Sequence, residues 1–474
     1  MAKIKFGTDG WRAIMCDEFI FHNVKIVVQA IANYLKKSGK AEQGIFIGYD
    51  SRFFSDRFGR LSAEVLAANS IPVKISKTDI PTPVLAFSLS RVPSAGGIIF
   101  TASHNPPIYN GIKFIPEHAA PALPEVTEAI EKELSALGDA EIKTLPFEEA
   151  KRQHIVSTFD PFHPYIEQIN SLIDVEQIKA ARLKIVYDAL HGEGRNYLPA
   201  ILSPLCDLKT MHCTSDPYFG GLTPEPIARN LQELSEAVKD KAHLGLANDG
   251  DADRFGVVDF DGTYINANQV LSLLLYHLIK NRGMKGPVAR TVATTHLLDE
   301  IARSYDLPTI ETPVGFKFIG HKILEEGAIL GGEESGGMSI KGHIPEKDGI
   351  LALCLITELR AMEGKALKVL LEELSRKYGE FISKRLDIHC SEDEKIGLFT
   401  TLRENPPDFL GGLKVIEQKS IDGMKFILED GSWVLFRPSG TENLVRIYIE
   451  AKSNEKLLPI EQSATSFFSA SSKR

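Results

Sequence analysis

The sequence predicts an α/β protein: three related α/β domains and a smaller C-terminal α+β domain. Three observations predict it. Short apolar strands alternate with helical stretches, as in parallel-leaning sheets covered by helices. The alternation restarts three times with one internal rhythm, as a repeated domain does. The C-terminal part of the chain loses that rhythm and reads as a helix followed by paired strands.

Each repeat opens on an apolar strand with a polar end: "GIFIGYDSR" (44–52), "LKIVYDALHGEG" (183–194) and "VARTVATTH" (288–296). A helical stretch follows, such as "DRFGRLSAEVLAANS" or "LLDEIARSYD". A second short strand comes next: "IPVKIS", "LKTMHC" or "PTIET". The third strand ends in a loop rich in glycine, serine and acids: "GGIIFTASHNP", "AHLGLANDGDADR" or "GAILGGEESGG". Ligands of α/β sheets gather at the carboxyl ends of strands, so these three loops are expected to face one cleft. "ALKVLLEELSRKYG" (366–379) has the spacing of an amphipathic helix, and "SWVLFRPSGTENLVRIYIEA" reads as two strands around a glycine turn. The expected domains are residues 1–155, 156–256, 257–375 and 376–474.

Length and composition agree. At roughly 100–200 residues per domain, a chain of 474 residues holds three or four. Hydrophobic residues make up 43% and charged residues 25%, so a sizeable core needs no disulfide or metal staple. A net charge of −9 speaks against nucleic acid as a partner. A small anion can still bind through local Arg and Lys. The five cysteines are an odd number without a C-x-x-C pair, which reads as reduced, mostly buried thiols in the cytoplasm. "MAKIKFGTDGWRAIM" lacks the apolar core of a signal peptide. "VLSLLLYHLI" (270–279) is too short to span a membrane, so no membrane partner is expected.

The chemistry concentrates in a few stretches. In "NDGDADR" (248–254), Asp249, Asp251 and Asp253 stand at alternate positions, which an extended loop places on one side. Converging carboxylates repel unless a cation lies between them, and hard oxygen ligands suit Mg²⁺ or Ca²⁺. An EF-hand fails, because Arg254 and Phe260 stand where its Gly and Glu belong. A solvated acidic turn is the plain alternative. Arg254 suits a phosphate or balances the acids. In "TASHNPP", Ser103 and His104 follow a buried strand. Neighbouring side chains point apart, so His104 is poorly placed to deprotonate Ser103. A serine beside a magnesium site is better read as a phosphate carrier; capping the next helix is its ordinary role. "RPSGTEN" (437–443) offers Arg437, Ser439, Gly440 and Thr441 as an anion cradle, and is also a plausible hairpin turn. "GGEESGG" (331–337) offers Glu333 and Ser335 to sugar hydroxyls.

Together these stretches resemble the α-D-phosphohexomutase superfamily, the phosphoglucomutases and phosphomannomutases. "FGTDGWR" (6–12), "TASHNP" (101–106), "DGDADR" (249–254), "GEESGG" (332–337) and "RPSGTEN" (437–443) follow the family's motifs in order, over nearly the whole chain. The resemblance implies four domains around a central cleft, the fourth smaller and flexible. It implies Ser103 as the phosphoserine and Mg²⁺ held by the Ser103 phosphate, Asp249, Asp251 and Asp253. Glu333 and Ser335 would grip the sugar, while Arg437, Ser439, Gly440 and Thr441 hold the phosphate that is not reacting. The implied reaction converts hexose 1-phosphate to hexose 6-phosphate through a 1,6-bisphosphate, with glucose 1,6-bisphosphate as activator. In "VGFKFIG" (314–320), Phe316 and Lys317 resemble the glucose-specific enzymes, where many dual-specificity relatives carry Gly-His. Glucose is the expected sugar, with mannose or dual use as the alternative. A metal-dependent phosphatase would have no need of the cradle at Arg437, and a non-catalytic binder would have no need of Ser103 and all three aspartates. The expected assembly is a monomer or homodimer.

Proton transfer has three candidates. Arg12 stays charged and is a poor base, so it is expected to steady a phosphate. His104 has a suitable unperturbed pKa, although Pro106 suggests that it also fixes the loop. Lys113 can act if charge or burial lowers its pKa. Lys113 and His104 are the expected acid–base pair.

Overall fold

The computed structural model describes residues 4–5, 10–138, 141–439 and 443–471. The first sheet contains β1 (Gly10–Ile14), β2 (Ile45–Tyr49), β3 (Val73–Ser76), β4 (Gly96–Phe100), β5 (Tyr109–Pro116) and β6 (Val156–Phe159). Their spatial order is β1-β5-β4-β2-β3-β6. The second has β7 (Lys184–Asp188), β8 (Asp207–Met211), β9 (Leu244–Asn248), β10 (Phe255–Asp259) and β11 (Tyr264–Ile265), ordered β11-β10-β9-β7-β8. The third has β12 (Val288–Thr291), β13 (Thr309–Thr312), β14 (Leu330–Gly332) and β15 (Met338–Ile340), ordered β13-β12-β14-β15.

The repeat read from the sequence is therefore topological. In every unit the strand that opens the repeat (β2, β7 or β12) lies between the next two, and both pairings are parallel. A fourth strand then runs antiparallel beside the third. β4 and β9 are buried along their whole length. That is why they read as near-continuous apolar runs rather than alternating ones.

The units differ at their margins, and there the expected boundaries need correction. β6 pairs in parallel with β3, so the first sheet runs past residue 155. A boundary at 256 cuts through β10, which pairs with β9. A boundary at 375 falls inside the helix Leu367–Tyr378, which packs on the helices Ala267–Lys280 and Leu297–Arg303 of the third unit.

One helix joins the second and third units. Gly349–Glu363, "GILALCLITELRAME", is apolar on nearly every face and touches β9, β10 and β15. A helix hydrophobic all round must be covered all round. Its start is fixed by Asp348, whose carboxylate accepts from Leu351 N at 2.9 Å, Tyr165 Oη at 2.7 Å and His343 Nε2 at 2.7 Å. The apolar stretch 270–279 forms part of the helix Ala267–Lys280, opened by an Asn266–Gln269 capping box. Among the described residues, no helix is long and apolar enough to cross a membrane.

The C-terminal domain is a single antiparallel sheet. It contains β16 (Ile382–His389), β17 (Phe409–Leu410), β18 (Leu413–Lys419), β19 (Met424–Leu428), β20 (Trp433–Pro438) and β21 (Leu444–Ala451), ordered β16-β21-β20-β19-β18-β17. The helices Glu392–Glu404 and Asn454–Ser471 accompany it, and this domain has a hydrophobic core of its own.

Candidate active site

The three strand-end loops of the repeated units meet. β4 delivers Ser103, β9 delivers the aspartates and β14 delivers Glu333. The first two loops touch through a hydrogen bond from Ser103 Oγ to Asp249 Oδ2 at 2.9 Å. The second and third are tied by Phe255 N donating to Gly336 O at 3.1 Å. The C-terminal domain reaches the third unit through Asp422, whose Oδ2 accepts from Val314 N at 3.0 Å and Arg437 Nε at 2.8 Å. The next amide, Gly315 N, donates to Glu333 Oε1 at 3.0 Å. The segment at Arg437 and the Glu333 loop are thus neighbours.

Asp249, Asp251 and Asp253 are fully buried, and each has a carboxylate oxygen within 4.8 Å of the others. The loop is a compact turn with Ala252 at φ 55°, not the extended segment that their spacing suggested. Gly250 is needed where it stands: a Cβ there would lie 2.6 Å from the Ser103 carbonyl oxygen.

Asp249 Oδ1 accepts from Arg254 N at 2.9 Å. Asp251 Oδ2 accepts from Thr82 Oγ1 at 2.6 Å and Lys113 Nζ at 2.8 Å. Asp253 Oδ2 lies 3.4 Å from Lys113 Nζ and 3.3 Å from Lys347 Nζ. Burial, then the charges of Asp253 and Asp251, pushes the Asp249 carboxyl well above its ordinary range. Burial also raises Asp251, but Lys113 and the Thr82 hydroxyl outweigh it and hold that carboxyl low. Oδ1 of Asp251 and Oδ1 of Asp253 are buried without a hydrogen-bond donor. Buried, crowded acceptors lacking donors are what a hard divalent cation satisfies, so these residues fit Mg²⁺.

Ser103 sits in the left-handed region at φ 51°. That conformation corrects one expectation: it brings His104 Nδ1 to 3.3 Å from Ser103 Oγ rather than turning the two side chains apart. The expected pKa of His104 is corrected too. Burial first, then the charges of Arg254 and Arg12, hold the imidazole well below its ordinary value. Lys113 moves the opposite way. Burial lowers it, but Asp251 and Asp253 prevail and raise it. Neither has the near-neutral pKa expected of a proton carrier in this charge state. Arg12 Nη1 donates to Asn105 Oδ1 at 2.8 Å, beside the serine. Arg254 has a buried Nε without an acceptor, and its Nη1 lies 3.6 Å from Glu225. An orphaned guanidinium donor facing this centre suits an anion.

Lys317 lies in the first turn of the helix Phe316–Glu326, its ammonium 5.4 Å from the Phe318 ring. Glu333 is buried and Ser335 half-buried on the same turn. Arg437 is paired with Asp422 rather than open, which the sequence did not suggest. Ser439 is buried, its amide donating to Leu444 O at 3.0 Å. Gly440 and Thr441 lie outside the described residues. Sequence reasoning missed Thr82, Lys347 and Asp422. Lys347 had a signal in the charged triplet Glu346-Lys347-Asp348 before an apolar helix; Asp422 had none.

Three repeated α/β units meeting at a buried serine and three carboxylates, with an antiparallel domain joined to the third, define a multidomain α/β enzyme. Known families match in the same order. The phosphoglucomutase/phosphomannomutase α/β/α domains I, II and III match residues 3–140, 163–262 and 266–378, and the C-terminal domain matches 401–464. The chain belongs to the phosphoglucomutase/phosphomannomutase family of the α-D-phosphohexomutase superfamily. A phosphoglucomutase/phosphomannomutase of Thermococcus kodakarensis is 34% identical, over 95% of each chain. A phosphoglucosamine/phosphogalactosamine mutase of Sulfurisphaera tokodaii is 30% identical, over 94% of this chain and 95% of that one. The crystal structure of a phosphomannomutase candidate from Thermus thermophilus superposes with a TM-score of 0.85 at 31% identity, covering 98% of this chain and 99% of its own. The family expectation is met; these relatives differ in the sugar they name.

Proposed function

We propose that this protein interconverts hexose 1-phosphate and hexose 6-phosphate, with glucose as its sugar, through a phosphorylated Ser103 and a 1,6-bisphosphate. The observation that carries the reading is the Ser103 hydroxyl, 2.9 Å from Asp249 within the buried carboxylate set. Asp249, Asp251, Asp253 and an oxygen on Ser103 would hold Mg²⁺, which when bound neutralises charge on the phosphoryl group. Arg254, with its free Nε, and Arg12 steady the transferring phosphate. Glu333, Ser335 and Lys317 orient the sugar. Arg437, Ser439, Gly440 and Thr441 take the distal phosphate, Arg437 exchanging Asp422 for it.

In the first transfer the Ser103 Oγ–P bond breaks as the sugar oxygen bonds to phosphorus. The sugar hydroxyl loses a proton and Ser103 Oγ gains one. His104 Nδ1, 3.3 Å from Oγ, serves the serine. Lys113 serves the sugar. A phosphoryl dianion on Ser103 would raise the neighbouring imidazole, and a divalent cation among the aspartates would lower Lys113. Both pKa values would therefore move back towards neutral pH. The five unpaired thiols suit the cytoplasm, although only Cys354 is buried and Cys16 is exposed, against the expectation of mostly buried thiols.

Glucose, mannose and glucosamine 1-phosphates, each with the matching 1,6-bisphosphate as activator, test the reading. Glucose 1-phosphate should give the highest kcat/KM, with Mg²⁺ required and no inorganic phosphate released. Steady phosphate release would instead mark a phosphatase, and a mannose preference would overturn the sugar.

A further inference from the structure

The strand-end segment Asp50-Ser51-Arg52 belongs to no step above, yet its arginine is turned onto the serine loop. Arg52 has a fully buried side chain. Its Nη2 donates to Ser103 O and Asn105 O, both at 2.7 Å. Its Nη1 donates to Pro106 O at 2.9 Å and Tyr109 O at 3.0 Å. Its Nε lies 3.2 Å from Asp50 Oδ2, and Phe219 covers the guanidinium at 4.8 Å. We propose that Arg52 is a positioning residue for phosphoryl transfer, a clamp that fixes the Ser103 backbone so that Oγ faces the aspartates.

Two arguments carry this. Burying a guanidinium is costly, and a well-packed apolar side chain generally stabilises a fold as well. What an apolar residue cannot do is hold four carbonyl oxygens at set angles, as the planar fork does. Three of those carbonyls come from a loop closed by Pro106 and Pro107, in which Ser103 holds a left-handed conformation, and the fourth from the first residue of β5. Sparsely populated backbone conformations persist only when their surroundings over-determine them. Here Arg52 donates to the Ser103 carbonyl while the serine hydroxyl points at Asp249.

The same turn also registers the second loop. Ser51 N donates to Glu193 Oε1 at 2.8 Å, and Glu193 N donates to Gly250 O at 2.9 Å. Gly250 lies between Asp249 and Asp251. One turn at the end of β2 thus holds both the serine loop and the carboxylate loop.

The inference rests on Ser103 as the phosphoryl carrier, so wild-type protein is measured first. Wild type, Arg52→Lys and Arg52→Gln are incubated with glucose 1,6-bisphosphate and Mg²⁺. Phosphate on Ser103 is read by intact mass, kcat and KM by steady-state assay, and folding by thermal melting. Lysine keeps the charge but not the fork. Arg52→Lys should melt near wild type and lose kcat on the order of 100-fold, the scale of a misplaced reacting group. Its KM should change by less than about threefold, since sugar contacts are untouched. Arg52→Gln should lose at least as much. An Arg52→Lys enzyme within twofold of wild-type kcat overturns the clamp, as does a KM that rises as far as kcat falls. A lysine variant that does not fold assigns Arg52 to folding alone and also overturns it. Should only the glutamine variant fail to fold, the lysine variant decides. Wild type without phosphate on Ser103 overturns the carrier reading, and the clamp with it.

Discussion

In the proposed reaction the Ser103–Asp249 centre and the segment at Arg437 handle the same kind of group in opposite surroundings. The first lies between two units that share one continuous hydrophobic core with the third. Its carboxylates are buried and its loops are tied by glycine contacts and by Arg52. The second belongs to a domain with a separate core, joined to the third unit by a small cluster of Val292, Ala293, Trp433, Leu435 and Tyr448. Polar links do the rest: Lys425 Nζ donates to Val292 O at 2.7 Å, and His296 N donates to Glu450 Oε1 at 2.9 Å. Bond exchange at phosphorus needs fixed atoms. A bisphosphate that turns around, as proposed, needs a holder that can let go. The half with buried, mutually bonded loops suits chemistry, and the half with a core of its own suits recognition.

Breaking the buried half should cost most. Asp251→Asn removes the 2.8 Å partner of buried Lys113, and breaking a buried pair costs about 3–5 kcal/mol. Chemical denaturation should show that loss together with lost turnover. Asp249→Asn should part the two readouts. It relieves a carboxyl that its neighbours push upwards, so the fold should gain stability while turnover falls. Equal losses of stability in both variants would remove the distinction drawn between these aspartates.

The junction of the two halves should respond to pH. Burial, then the charge of Arg290, lowers the Lys425 ammonium from 10.5 to about 7. Across that window the unfolded chain keeps a proton that the folded one has released, so stability rises with pH there. Below about 7 both states are protonated and this contribution is flat at its least favourable level. Lys425→Met should flatten the rise in melting temperature between pH 7 and 10 relative to wild type. Parallel melting curves would detach Lys425 from the junction's pH response.

The smallest effect belongs to the Arg437 segment. Arg437 and Asp422 keep 18% and 24% of their side-chain surface exposed, between exposed pairs worth at most about 1 kcal/mol and buried ones worth about 3–5 kcal/mol. Asp422→Asn should cost less stability than Asp251→Asn and leave phosphate labelling of Ser103 intact. A loss of labelling would show that the halves are more tightly coupled than their contacts imply.

The repeat was legible because parallel strands covered on both faces must be apolar throughout, as in "GGIIF" and "LGLAN". The aspartates were legible because a carboxylate cluster has few uses. Unit boundaries were not, since nothing in Val156–Phe159 shows that it will join β3 as β6. The same holds for Asp422, an ordinary loop acid until Val314 and Arg437 are brought to it. His104 and Lys113 were found as residues, but their pKa directions depend on charges from distant segments. Local sequence gives the side chain; its field comes from the fold.

The helix Gly349–Glu363 bears on how the molecule can be taken apart. Three units of matching topology invite the view that each is a module. Yet this helix is wrapped on one side by the second unit's sheet and on another by the third's. Severed between them, neither fragment could shield it, and a greasy rod would meet water. The repeats are thus copies in outline but not separable parts, and the sheet-by-sheet divisions of the chain are not lines of cleavage in its stability.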